Sequence, residues 1–399
     1  MKWKTVSLGD VLHSIIGGGT PSKSKSEYWN GDIFWCSVKD MEDDKHYLSY
    51  TKDTITKKGL ENSSANLIKA GTVITSTRMG LGRAFINKVD MAINQDLKAL
   101  IPNERIDNRF LLWTILSKRN ELNMLGRGST VKGITLDILK SIEISLPPLI
   151  VQCRIADILS AYDDLIENNQ KQIKLLEEAA MWLYKEWFVK LRFPGHEKTK
   201  IEDGVPEGWK LTRVKRMGQV ITGKTPSTAI VENYGEDIPF VKIPDMHGVI
   251  YPLKTEVKLS ERGANTQKNK FLPPKSIMVS CIATVGLVCI THEVCQTNQQ
   301  INSIVLNDED HLYYMFFKMK GIKSLLEGVG SNGATMTNVN KTKFENIELL
   351  KPENEILKKF NNLVEPFFSN ILALSKQNEK LKEARDKLLS KLMSGEIEV

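Results

Sequence analysis

Gly19-Thr20-Pro21-Ser22 reappears, with one residue inserted, as Gly223-Lys224-Thr225-Pro226-Ser227, and that recurrence decides how the 399-residue chain is divided. Upstream and just downstream of it, Trp3-Lys4 returns as Trp209-Lys210, Asp32-Ile33 as Asp237-Ile238 and Asp40-Met41 as Asp245-Met246. Further on, Asn94-Gln95 matches Asn298-Gln299, and the glycine and threonine of Gly128-Ser129-Thr130 match Gly333-Ala334-Thr335. Ile142-Glu143-Ile144 before Pro147 matches Ile347-Glu348-Leu349 before Pro352. These anchors share one period of about 205 residues, far longer than a solenoid repeat, so the chain is a globular domain with a tail, present twice in tandem.

Inside each repeat, short β-rich runs such as Gly71-Thr72-Val73-Ile74-Thr75 and Ile277-Met278-Val279-Ser280 are separated by Gly, Pro, Asn and Asp. One helix is expected in each, near Phe110–Asn120 and His311–Leu326, which makes the domains α+β. The expected division is a domain at 1–150, a long helix at 151–193, a linker at 194–208, a second domain at 209–352 and a second long helix at 353–399.

The tails follow a heptad rhythm, with apolar or aromatic side chains at Ile155, Leu159, Tyr162, Ile166, Ile173, Leu176, Ala180, Leu183 and Trp187. Adding the repeat offset gives Phe360, Val364, Phe367, Ile371, Leu374, Asn378, Leu381, Arg385, Leu388 and Leu392, where all but Asn378 and Arg385 are apolar. Each seam contains an asparagine, Asn169 or Asn378, a placement that sets register at some expense in stability. Gln152 to Lys190 would span about 58 Å at 1.5 Å per residue. Pro366 is expected to kink the second helix. Two long helices of one chain, each with an apolar stripe to bury, are expected to pair as an antiparallel coiled coil between two like domains, with approximate two-fold symmetry. Domains that read one face of a duplex sit about 34 Å apart, or a multiple of it, so the helices would act as a ruler on DNA.

Composition agrees with an anionic partner. The formal charge is +7, and residues 1–150 hold an excess of five positive charges while the remaining stretches are nearly neutral. Hydrophobic residues at 41% and charged residues at 26% exclude whole-chain disorder, collagen and a bare coiled coil. The longest uncharged run, Ser276 to Thr291, has 16 residues and falls short of the roughly 20 that a spanning helix requires, so no membrane partner is expected. Met1-Lys2-Trp3-Lys4 is unlike a secretory leader, and five cysteines, an odd number, fit free thiols in a reducing cytoplasm.

The stretch Ile158-Leu159-Ser160-Ala161-Tyr162-Asp163-Asp164-Leu165-Ile166-Glu167-Asn168-Asn169 resembles the central region of the specificity subunits of type I restriction-modification enzymes. The resemblance continues through Leu183-Tyr184-Lys185-Glu186-Trp187-Phe188 and Phe193-Pro194-Gly195-His196 to Lys391-Leu392-Met393-Ser394-Gly395-Glu396-Ile397. It implies that each domain reads one half of a split, asymmetric DNA target. It implies also that the helices set the gap and dock two methyltransferase (modification) subunits, onto which restriction subunits assemble. No cofactor is then expected in this chain, because S-adenosylmethionine, ATP and Mg belong to the partner subunits. The chain is expected to be non-catalytic.

DNA contacts call for hydroxyls and amides in Gly-rich turns, Lys and Arg for phosphates and guanine, and Asn and Gln for adenine. The first repeat offers Thr20, Ser22, Lys23, Lys25, Arg78, Arg83, Arg127, Ser129, Thr130 and Lys132. The second offers Lys224, Thr225, Ser227, Lys268, Lys270, Gln299, Gln300, Asn332 and Thr335. Against each stands the plain reading of a turn former or a solvated lysine.

Four motifs point elsewhere. Gly218 to Thr225 matches the G-x-x-x-x-G-K-[ST] phosphate loop, but charged Arg213-Val214-Lys215-Arg216 precedes it and Pro226 follows. Gly328 to Gly333 matches G-x-G-x-x-G after a helix instead of a strand. Asp245, Glu256 and Lys258 have the residue types of a magnesium nuclease, absent from the first repeat, which keeps a self-sufficient nuclease as one alternative beside a coiled-coil protein scaffold. Cys281, Cys289, His292 and Cys295 have zinc-ligand chemistry, but Cys281 and Cys289 share strand parity and read as buried thiols.

Overall fold

The computed structural model describes residues 3–128, 132–323, 326 and 339–399. The chain forms two compact units, Met1–Asn168 with Lys380–Val399, and Asn169–Glu379. Each unit therefore contains one domain together with parts of both tails. The helices discussed below are α1 (Asn108–Ser117), α2 (Leu149–Tyr184), α3 (Leu312–Gly321) and α4 (Asn354–Ser394).

In unit 1 a five-stranded sheet runs in the order Leu12–Gly17, Leu97–Pro102, Val73–Ser76, Ala84–Asn87, Tyr47–Leu48. Beside it a four-stranded sheet is ordered Asp53–Ile55, Trp29–Cys36, Met91–Ile93, Leu67–Ile68. Unit 2 repeats both in the same order, each with one strand fewer among the described residues: Gly218–Thr222, Ile301–Leu306, Ile277–Ser280, Val288–Ile290, and then Val257–Leu259, Tyr234–Val241, Gln296–Thr297. The correspondence extends to a parallel pairing among mostly antiparallel ones, since Trp29–Cys36 meets Met91–Ile93 in parallel and Tyr234–Val241 meets Gln296–Thr297 in parallel. The fold is mixed α and β.

A two-stranded clasp closes each domain, Lys4–Ser7 against Glu143–Leu146 and Lys210–Arg213 against Glu348–Lys351. It brings the start of the domain to the point from which its long helix departs. In unit 1 the departure is locked by Gln152, fully buried, whose Oε1 accepts from the Asp107 amide at 2.8 Å. Its Nε2 donates to the carbonyls of Arg105 and Pro147 at 3.0 and 2.9 Å. Asp107 in turn caps α1, its carboxylate accepting from the amides of Arg109 and Phe110 at 3.0 Å. Every α1 side chain from Phe110 to Ile115 is buried, and α1 shares one core cluster with sheet residues such as Val73 and Leu100 and with Ile155, Ala156 and Leu159 of α2.

The helix pairs are antiparallel within each unit. In unit 1 Ile155 and Leu159 of α2 share a core cluster with Leu388 and Leu392 of α4. In unit 2 Asn169 donates to Asn378 at 2.9 Å, and the ring of Trp187 lies 5.7 Å from that of Phe360. Ile166, Val364 and Ile371 are buried, while Ile173, Leu176 and Leu183 pack at the edge of the unit 2 core; Leu374 and Leu381 are half-buried.

One turn of the seam differs from the expected pattern, and it differs identically in both repeats. Asp163, not Tyr162, is the fully covered residue of its turn, and Phe368, not Phe367, is that of the equivalent turn. The seam steps by four and then three here, so Tyr162 and Phe367 sit on its flank, half-buried. Further differences concern the ends and the linker. α2 closes in a single π-turn, Lys185–Val189, with the Lys190 amide donating to the Lys185 carbonyl at 2.8 Å. α4 includes Pro366 within its span, the position at which a kink is expected. The linker contains a hairpin, Ile201–Glu202 against Val205–Pro206, and Phe193 and Trp209 at its ends are buried together against Ile356. No helix among the described residues is long and apolar enough to cross a membrane.

Candidate nucleic-acid interface

The recurring Gly-Thr-Pro-Ser loop docks on the recurring Asn-Gln turn, in the same way in each unit. Thr20 Oγ1 donates to Gln95 Oε1 at 2.6 Å, and Thr225 Oγ1 donates to Gln299 Oε1 at 2.6 Å. Beneath, the Asp96 amide donates to Asn94 Oδ1 and the Gln300 amide to Asn298 Oδ1, both at 3.1 Å, which closes an Asx-turn in each repeat. The loop approaches so closely that glycine is required at its base. A Cβ on Gly19 would lie 2.0 Å from Ser64 Oγ, and one on Gly223 would lie 2.1 Å from the Asn298 carbonyl oxygen. The carbonyl of Gly19 is further held by the indole of Trp35 at 2.9 Å. Hydroxyl and amide groups are thereby presented on a rigid base, as contact with a nucleic-acid backbone and base edges requires. Thr20→Val and Thr225→Val should each lower stability by about 1 kcal/mol through the lost hydrogen bond, measurable by chemical denaturation.

In unit 1 three of the nominated cations gather beside this loop. Arg78 and Arg127 both form bridges to Gly133, and the Met79 amide donates to the Lys132 carbonyl at 3.4 Å. Thr77 ties the group to the Asn-Gln turn through its amide, 2.9 Å from the Asp96 carbonyl oxygen, and Arg78 lies 3.8 Å from the Asp96 carboxylate. Arg78, Arg127 and Lys132 are exposed, as are Ser22, Lys23 and Lys25 on the loop itself. Ser22 shares a hydrogen bond with Ser24 at 2.8 Å, and Lys25 donates to the Tyr28 hydroxyl at 3.0 Å. Arg83 does not join them: its Nε lies 2.6 Å from Asp43, which Arg119 also holds at 2.9 Å. Its charge is matched inside the domain.

Unit 2 assembles a comparable cluster from different chain segments. Gln267 donates from Nε2 to the Lys224 carbonyl and to Gln296 Oε1, both at 2.7 Å, which places the turn Lys268–Lys270 beside the Thr225 loop. Partial burial, and then the positive charges of Lys341 and Lys224, hold the Lys270 ammonium below the ordinary lysine range. Crowded cations of this kind favour a bound anion. Lys268, Ser227 and Gln299 are exposed and Gln300 half-exposed. Lys341 had no signal in the sequence, because only the fold brings it here; Gln95 had one, the recurrence that singled out Gln299. Ser129, Thr130, Asn332 and Thr335 lie outside the described residues.

Three of the four other motifs take structural roles. Gly218–Thr222 is a strand paired with Ile301–Leu306, and the Lys224 amide is bonded to the Thr297 carbonyl at 2.9 Å, so no loop of free amides is there to cradle phosphate. The Gly328 to Gly333 motif lies outside the described residues. Asp245 accepts from the amides of Lys242 at 2.8 Å and Glu256 at 3.0 Å, and Asp40 accepts from those of Ser37 at 2.9 Å and Lys52 at 3.0 Å. One carboxylate therefore shapes the same turn in both repeats. Cys281, Cys289 and Cys295 are buried, and burial raises their thiols to about 11, 12 and 12. Cys289 Sγ lies 3.2 Å from the Val249 carbonyl oxygen. Among the described residues no group of three or more candidate ligands could hold a metal ion.

Comparison with known proteins agrees with the duplication of the domain. The profile of the family described as Type I restriction modification DNA specificity domain matches residues 1–178 and again 206–383. The chain is 30% identical over 470 residues to the Type I restriction enzyme HindI specificity subunit of Haemophilus influenzae, covering 99% of each. It is 30% identical over 414 residues to the Type I restriction enzyme MjaIX specificity subunit of Methanocaldococcus jannaschii, covering all of this chain and 94% of that one. The solved S subunit of the type I restriction-modification system of M. genitalium shares the fold, with a TM-score of 0.60 at 13% identity over 98% of this chain and 96% of that one. Two matching domains, two tails and full-length identity to such subunits together place this chain in the type I restriction-modification DNA specificity family.

Proposed function

We propose that this chain is the DNA-recognising, non-catalytic subunit of a type I restriction-modification assembly. The observation that carries the reading is the pair of Thr–Gln-docked loops, each beside a cationic cluster, at matching places in two copies of one domain. One domain reads each half of a split target. Their clusters are built from different residues, Arg78, Arg127 and Lys132 against Lys224, Lys268 and Lys270, so the two half-sites differ in sequence. The paired helices set the unspecified gap and dock two methyltransferase subunits, and restriction subunits join through them. S-adenosylmethionine, ATP and Mg act on those partner chains, and the assembly works in the cytoplasm, where its DNA lies.

A binding measurement tests the first claim. The assembled complex should bind a duplex containing its split site with an affinity that falls steeply as salt rises, and should bind a duplex lacking either half far more weakly. Affinity that ignores salt and sequence alike would favour a protein scaffold. The ruler can be tested separately. Four residues inserted after Lys174 add about 6 Å to α2 while nearly preserving its face. Methylation mapped in cells carrying that variant and its partners should show both half-sites kept and the gap changed; an unchanged gap in an active assembly argues against a ruler.

A further inference from the structure

The helix pair of unit 1 buries charge where that of unit 2 buries hydrocarbon. His46 Nδ1 lies 2.6 Å from Asp163 Oδ2, and Arg385 Nη1 donates to Asp163 Oδ1 at 2.8 Å. The three side chains are 4%, 8% and 3% exposed. The Trp113 ring covers His46 edge-on at 5.0 Å. Displaced by the repeat offset of about 205 residues, these positions are Tyr251, Phe368 and Ala180, all buried in the apolar core of unit 2. A second couple behaves alike. Asn169 and Asn378 are bonded to each other, whereas their repeat equivalents are the apolar Leu374 and Ile173.

Because the helices run antiparallel and the repeats keep one offset, the partner of every seam residue in a mismatched pair follows directly. Two amino-terminal tails laid together would set Asp163 against Ala180 of the other copy and Asn169 against its Ile173. Two carboxy-terminal tails would set Arg385 against Phe368 and Asn378 against Leu374. Each mismatch takes away the partner across the seam, leaving Asp163 with His46 alone, Arg385 with Asp386 of its own helix, and each asparagine amide facing an apolar side chain, which is far worse than the matched pair. The apolar stripes alone would not discriminate, since both tails repeat every seven residues with similar side chains.

We infer that Asp163, His46, Arg385, Asn169 and Asn378 form a mating code, by which an amino-terminal tail accepts a carboxy-terminal tail, of its own chain or another copy, and rejects a second tail like itself. The code is independent of DNA recognition. It also explains why the charges are tolerated: they weaken wrong pairings more than they weaken the right one.

The test uses the full chain, folded and then cut. A protease site placed between Asp203 and Gly204, at the exposed hairpin tip, yields two fragments that stay associated. Cut preparations with tagged and untagged amino-terminal fragments are mixed, allowed to exchange under mild denaturant, and recovered by the tag for native mass spectrometry. The wild-type fragment should recover carboxy-terminal fragments and almost no untagged copies of itself, whereas indiscriminate pairing would give roughly half like-with-like. In the variant His46→Tyr, Asp163→Phe, Arg385→Ala, Asn169→Leu, Asn378→Ile, like-with-like pairs should rise at least tenfold. Like-with-like pairing at the indiscriminate share in the wild-type protein overturns the inference, as does a folded five-residue variant that still pairs only with its complement. The wild-type arm decides alone if that variant does not fold.

Discussion

Arg385→Ala should lower the stability of unit 1 by about 3–5 kcal/mol, the range for removing one partner of a buried ion pair. Without the guanidinium, Asp163 is left 8% exposed with only His46 to answer its charge. Asp44 loses a neighbour too, since Arg385 Nη2 lies 3.6 Å from it; burial works against the Asp44 carboxylate, and Lys382 and Arg385 together still hold it below the ordinary range. Guanidinium denaturation followed by the fluorescence of Trp113, whose ring meets His46 edge-on, should report the loss. Adding His46→Tyr and Asp163→Phe to Arg385→Ala should recover most of it, because Tyr251, Phe368 and Ala180 already pack without charge in unit 2. A single variant within about 1 kcal/mol of the wild type would mean that the pair is solvated and contributes as little as a surface bridge.

The combined variant Arg78→Ala, Arg127→Ala, Lys132→Ala should weaken binding of the assembled complex to its DNA by on the order of a hundredfold or more, at about 1–3 kcal/mol for each contact. The three residues are exposed and joined by backbone bridges around Gly133, so their removal leaves the core untouched. The salt dependence distinguishes backbone contacts from base readout. If all three meet phosphate, the slope of log affinity against log salt should fall by roughly 2.7, and weakening should be similar for all sequences. If an arginine reads guanine, specificity in the first half-site should relax at one position while the second half-site is unchanged. Arg83→Ala serves as the control, because Arg83 pairs with Asp43 inside the domain and its loss should leave DNA affinity within about threefold. Affinity unchanged in the triple variant would remove this cluster from the interface.

The duplication was legible without coordinates because each anchor marks a local geometric need. Gly19 and Gly223 recur where the backbone comes too close for a Cβ, and Asp40 and Asp245 recur where a carboxylate must satisfy two amides of a turn. The heptad tails were legible for a similar reason: a period near seven is a property of one helix facing another, whatever the partner. The DNA-facing residues were legible only in part. Arg78 and Arg83 are alike in sequence, yet one is exposed beside the Gly-Thr-Pro-Ser loop and the other is held by Asp43, five residues apart across one turn between strands.

What the sequence determined by itself, then, was everything encoded over short range or by repetition: two like domains, their glycine-dependent loops, and two tails with an apolar stripe. What only the tertiary structure decided was which polar groups are buried. Asp163 and Arg385 lie 222 residues apart, and His46 belongs to a loop of the first domain, so no local rule places a carboxylate in the seam instead of its apolar neighbour Tyr162. Burying a charge is favourable only when its partners arrive with it, and those partners come from chain segments that meet solely in the folded molecule.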